Sequence, residues 1–75
     1  MQYIAIIEGD DESGYSAYVP DLSGCIAVAE TREEIEQLIR EAIPFDLEGM
    51  ADAGDPIPPV TSRAITVDVH IPVAA

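Results

Sequence analysis

Apolar and polar positions alternate in short runs along most of the chain, and one long run repeats near every 3.6 residues. Residues 2–8 predict a first strand, with Tyr3 to Ile7 apolar at every position. A strand apolar on both faces belongs in the middle of a sheet that is covered on both sides. Gly9-Asp10-Asp11-Glu12-Ser13-Gly14 predicts a turn, because two glycines supply positive φ and the residues between them are polar. Tyr15 to Val19, rich in aromatic and β-branched side chains, predicts the second strand. Pro20 ends it, having no N–H to give to a ladder. Asp21-Leu22-Ser23-Gly24 turns the chain into a third strand, Cys25 to Ala29. Turns this short join antiparallel neighbours, so the three strands form a meander.

The period then changes. Thr31-Arg32-Glu33-Glu34 reads as a capping box, with Thr31 as N-cap and Glu34 reaching back from N3. Ile35, Leu38, Ile39 and Ala42 follow at helical spacing, and Gly54-Asp55-Pro56 closes the segment with Gly at C′. A helix over 32–53 is about 33 Å long, whereas a strand of six or seven residues is about 23 Å, so the helix overhangs the sheet or bends. Pro44 removes the bond to the Arg40 carbonyl, a defect of about 3 kcal/mol in an ideal helix interior, and Gly49 costs about 1 kcal/mol relative to Ala. These two residues predict a kinked helix or two abutting helical pieces. A proline-stiffened connector, 55–63, leads to a last strand in which Ile65, Val67, Val69 and Ile71 point one way and Ala64, Thr66, Asp68 and His70 the other. The order is βββαβ, an α+β fold. A right-handed crossover would lay the last strand parallel to a neighbour, with the helix over one sheet face and the other face open.

Seventy-five residues make one small domain, 1–75, with no room for a second. An apolar fraction of 48%, with 24% charged residues, is globular rather than disordered. A chain this short buries only about 60% of the surface it exposes unfolded. Its one cysteine excludes an intrachain disulfide, and one His with one Cys cannot build a zinc site. Self-association, as a homodimer or higher homo-oligomer, or a bound partner is therefore expected to supply the missing burial.

Fifteen acids against three arginines and no lysine give a net charge of −12. That balance argues against direct nucleic-acid binding, which draws on many cationic contacts to phosphate, and against an anionic membrane surface. A basic partner is what such a surface attracts. No basic targeting region precedes the first strand, its apolar run stops at Glu8, and no run approaches bilayer length, so the expected location is cytoplasmic.

Candidate chemistry is sparse. His70 and Cys25 are single, and nothing in the sequence joins them as base and nucleophile. No phosphate loop, zinc spacing or nucleotide fingerprint occurs, so no catalytic, cofactor or metal residue is assigned and no enzyme is expected. Glu8, Glu33, Glu34 and Asp68 stand where a two-metal nuclease could place carboxylates, but a nuclease must hold a polyanion. The helix is more informative: Glu34, Glu41, Glu48 and Asp52 cluster within roughly a 40° arc at 100° per residue. Glu36 and Arg40 are spaced as an i,i+4 pair, and no cation falls inside the stripe. A solvated face is the plain reading of such a stripe, and a dock for a basic protein the functional one.

The segment Gly14-Tyr15-Ser16-Ala17-Tyr18-Val19-Pro20-Asp21-Leu22-Ser23-Gly24-Cys25 resembles the strand–turn–strand signature of the HicB-like antitoxin family. Thr31-Arg32-Glu33-Glu34, Glu41-Ala42-Ile43, Leu47-Glu48-Gly49-Met50 and Gly54-Asp55-Pro56-Ile57-Pro58 follow in the family's order, so the likeness runs from residue 2 to about residue 59. The resemblance implies a partial RNase H-like βββαβ domain without nuclease activity, which masks a small basic HicA-type toxin, an mRNA interferase. Asp21 joins Glu34, Glu41, Glu48 and Asp52 as a candidate partner-binding residue, the Asp21–Gly24 turn or the open sheet face being the dock if the helix stripe is not. Many relatives also carry a C-terminal DNA-binding domain, which is not expected here. Pro44 stands where the family has a helix-compatible residue, and Asp46 where it commonly has His. The alternatives are an orphan structural or regulatory module without a toxin, and a metal-dependent nuclease.

Overall fold

The computed structural model describes residues 1–73, so positions 74 and 75 of the expected domain lie outside the described residues. A meander of three antiparallel strands precedes one long helix: β1 (Ile6–Asp10), β2 (Gly14–Tyr18), β3 (Ile26–Ala29) and α1 (Arg32–Asp52). The sheet order is β1-β2-β3. Its register pairs Ile6 with Tyr18 and Ile26, and Ile7 with Ala17 and Ala27. Period-two alternation therefore puts Ile7, Ala17 and Ala27 on one face and Ile6, Tyr18 and Ile26 on the other.

The helix covers the first of these faces. Ile35 and Ile39 are its buried residues, and they join Ala17, Val19, Leu22 and Cys25 in the core. Ile35 has 0% exposure. Leu22 enters from the turn after β2, where its N–H donates to the Val19 carbonyl (3.0 Å) and its own carbonyl accepts from Cys25 (3.2 Å). That tight turn points a leucine inward from a loop. Tyr15, Ala29, Ile43, Leu47 and Met50 pack around the rim.

Both helix ends carry the expected caps, with one difference. The Thr31 hydroxyl oxygen accepts from the Glu34 N–H at 3.2 Å. The Glu34 carboxylate accepts from the same hydroxyl, rather than from the Thr31 backbone N–H that a capping box would use. At the other end Gly54, at φ +78°, donates to the Ala51 carbonyl and Asp55 to that of Met50, which is a Schellman motif. Pro44 lies within one continuous helix, so the two-piece alternative is not what forms. Pro44 and Arg40 are both exposed, and water can reach the carbonyl that the ring leaves unpaired. The helix is about 32 Å long at 1.5 Å per residue.

Two expectations for the sheet are corrected. β1 is an edge strand rather than a central one, and its ladder begins at Ile6 rather than at residue 2. The fourth strand is not formed: residues 55–73 carry no ladder, and Ile65, Val67, Val69 and Ile71 are exposed. The two outcomes have one cause, because only a strand beside β1 would make β1 central. The radius of gyration is 15.8 Å, against about 11 Å for a compact chain of this length, and the long dimension is 60 Å. Segment 64–73 projects as an arm.

Gly9 and Gly49 should respond oppositely to alanine. Gly9 has φ +115°, and a Cβ there would meet the Gly14 carbonyl oxygen at 2.1 Å, a backbone atom that cannot step aside. Gly49 lies in the helix with open space around it. Gly9→Ala should cost more than about 2 kcal/mol, and Gly49→Ala should stabilise by up to about 1 kcal/mol, both read from urea unfolding midpoints.

Candidate protein-interaction surface

The outer face of α1 holds the acidic stripe. Glu34, Glu41, Glu48 and Asp52 are all exposed, on the side away from Ile35 and Ile39. Glu41 accepts from the Gln37 side-chain amide at 2.7 Å, a neutral contact that leaves its charge in place. Among the described residues the helix's ion pair joins Arg32 to Glu36 at 3.9 Å, in place of the Glu36–Arg40 pair that the spacing suggested. Both partners are substantially exposed, so the pair contributes little to stability. No arginine lies within the stripe.

Two apolar side chains flank the carboxylates. Phe45, the only phenylalanine, is 76% exposed, and Leu38 is 41% exposed. At 100° per residue they sit roughly 20–40° from Glu34 around the helix axis. The sequence reading stopped its helical pattern at Ala42 and missed Phe45; carrying the wheel one turn further would have placed it beside the acids. An exposed aromatic beside a row of like charges is the composition of a protein-binding patch more than of a solvated face.

Asp21 lies elsewhere and is already engaged. Its carboxylate accepts from the Thr61 N–H (2.9 Å) and hydroxyl (2.7 Å), and from the Ser62 N–H and hydroxyl (both 3.0 Å). These four donors, led by the Ser62 N–H, hold its pKa down to about 2. Tyr3 donates its hydroxyl to the Pro58 carbonyl. Asp21 and Tyr3 together tie the connector after the helix to the body of the domain, and the structure does not bring Asp21 together with the helix stripe. Asp10 is used similarly, accepting from Glu12 and from the N–H and hydroxyl of Ser13 in the β1–β2 turn.

Cys25 is buried, and burial first, then the adjacent charge of Asp46 and a hydrogen bond to it, push the thiol pKa up. A protonated, enclosed thiol is a poor nucleophile. His70 lies exposed on the arm. Among the described residues no three His, Cys, Asp or Glu side chains are grouped to hold a metal ion. No helix among them is long and apolar enough to cross a membrane.

The Asp21 anchor gives a pH prediction. Its carboxyl is depressed from 3.8 to about 2, so its contribution is present above 3.8 and is lost as pH falls toward 2. The Thr61 and Ser62 amide resonances should titrate together in that window. Asp21→Ala should abolish the titration and make the 58–62 segment more susceptible to protease at neutral pH.

The family model described as the HicB_like antitoxin of bacterial toxin-antitoxin systems matches residues 3–70. A UPF0150 protein of Thermoplasma acidophilum is 34% identical over 67 residues, covering 89% of this chain and 97% of the relative. A UPF0150 protein of Synechocystis is 36% identical over 56 residues, covering 75% of this chain and 71% of the relative. One from Archaeoglobus fulgidus is 35% identical over 48 residues, covering 64% and 70%. No solved structure matches the chain. With the matched segment running from the start of the meander into the arm, the chain belongs to the HicB-like antitoxin family.

Proposed function

We propose that the chain neutralises a small basic toxin of HicA type, an mRNA interferase, by occluding it through the outer face of α1. The carrying observation is the exposed row of Glu34, Glu41, Glu48 and Asp52 with Phe45 and Leu38 beside it. Carboxylates at that spacing attract a cationic surface at long range, and an aromatic anchor can then be desolvated at the centre of the contact. The antitoxin acts by binding, without turnover and without contacting nucleic acid itself, since a chain of net charge −12 repels phosphate. It works in the cytoplasm, where an mRNA interferase meets its substrate. It does so as a homo-oligomer: Ile26 and Val28 are 70% and 74% exposed on the open sheet face, and a lone core of this size is marginal.

The stripe is tested by Glu34→Gln, Glu41→Gln and Glu48→Gln combined, which keep side-chain size and helix propensity while removing three charges. Stopped-flow association with a HicA-type toxin at low salt should slow by about tenfold, and the rate should depend less steeply on ionic strength. Phe45→Ala should instead raise the dissociation rate. An association rate and salt slope equal to those of the unmodified chain would remove the stripe from the interface.

A further inference from the structure

Segment 64–73 presents an apolar row with nothing against it. Ile65, Val67, Val69, Ile71 and Val73 are 64–91% exposed, and the opposite row, with Thr66, Asp68 and His70, is polar. Alternation this regular is the pattern of a half-buried strand. The root of the arm is fixed by the Asp21 and Tyr3 hydrogen bonds, which hold Pro58 to Ser62 beside the start of the first strand. Beyond Ala64 the chain leaves the body.

The body has a matching vacancy. β1 is an edge strand, so one side of its backbone offers unpaired N–H and C=O groups. Between that edge and the helix runs a groove of about 290 Å³, lined by Tyr3, Ala5, Ile7, Ile39 and Ile43 together with the charged Glu36 and Arg40. A strand added along β1 would set its alternate side chains in this groove beneath α1. Its polar row would face away from the helix.

We propose that two copies of this chain exchange their arms, each arm pairing with the β1 edge of the other copy and laying Ile65, Val67, Val69 and Ile71 into the groove beneath its helix. The inference rests on the homo-oligomer reading above and adds a contact between copies apart from the open sheet face that carries Ile26 and Val28. Surface area favours a second copy over a foreign partner. A fully buried Val or Ile removes about 60–120 Å² of apolar surface, so the four side chains of each of two arms and the two surfaces that receive them remove roughly 960–1,920 Å². That meets the size of a specific interface, about 1,200–2,000 Å². A single arm docked on an unrelated protein removes half as much, around or below the roughly 1,000 Å² lower bound. Exchange about a two-fold axis is self-complementary, so no other chain is required.

The test uses the whole chain. Carbon-13-labelled and unlabelled chains are unfolded together, refolded as an equal mixture, and examined by light scattering and half-filtered NOE spectroscopy. The expected result is a dimer with interchain NOEs from the methyl groups of Val67, Val69 and Ile71 to Tyr3, Ile39 and Ile43. A dimer lacking those NOEs overturns arm exchange and leaves the homo-oligomer reading standing; a monomer overturns both. Arm-to-groove NOEs confined within one chain, or arm signals that respond only to added HicA-type toxin, also overturn it. Val67→Glu with Val69→Glu alters only exposed positions of the single chain, so the helix signal in circular dichroism should persist. The dimer dissociation constant should rise at least about 100-fold. An unchanged constant contradicts the proposal.

Discussion

One packing constraint shapes the rest of the molecule: a single amphipathic helix must seal one face of a three-stranded sheet. The sheet meets it with the small Ala17, Ala27 and Ala29 between the larger Ile7 and Tyr15, and the helix supplies bulk through Ile35, Ile39, Ile43 and Leu47. Large against small lets the layers interdigitate near the density of protein interiors. Leu22 and Cys25 fill one end from outside the regular elements. Ile35, with no exposed surface, sits where strands, turn and helix converge, and truncating it would open a cavity that small neighbours cannot collapse into.

The acids divide into two populations with different physics. Asp10 and Asp21 sit where backbone N–H groups converge, and each accepts several donors that hold its carboxyl in the charged form. Asp10 staples its own turn, and Asp21 ties the connector after the helix to the body of the domain. Glu34, Glu41, Glu48 and Asp52 face solvent without cationic neighbours in the stripe, and repel one another mildly along one ridge. Their helix tolerates this because its stability comes from the opposite face. Charge there is free to serve recognition.

The local rules were legible in the sequence wherever the physics was local. The meander, the helix limits within a residue, the Thr31 cap and the Gly54 stop all follow from side chains acting on their own backbone. Asp21 was legible only as part of a motif, because its donors are forty residues away at Thr61 and Ser62. The Pro44 break was overstated for a related reason: the penalty of an interior proline assumes an orphaned carbonyl, and here that carbonyl lies on a wet face. Residues 2–8 and 64–71 carry strand-like patterns, but only Ile6 onward pairs in the first and no ladder forms in the second, because a pattern states which face wants burial and not which chain provides it. The edge position of β1 and the projecting arm are therefore tertiary facts that period-two alternation alone does not determine.

A chain of net charge −12 must overcome self-repulsion to meet another copy of itself, while the same charge draws in a basic partner. The fold separates these demands by position. The stripe lies on the outer face of α1, across the helix from the residues that pack on the sheet, and like charges farther apart than about 8–10 Å are largely screened at physiological ionic strength. The arm that we propose to exchange carries one arginine at its root, one aspartate and one histidine among otherwise uncharged residues, and its groove is apolar apart from Glu36 and Arg40. The proposed self-association thus uses the least charged part of the chain, and the proposed hetero-association the most charged. Both proposed contacts can form at once, because one lies over the helix and the other along an edge of the sheet beneath it.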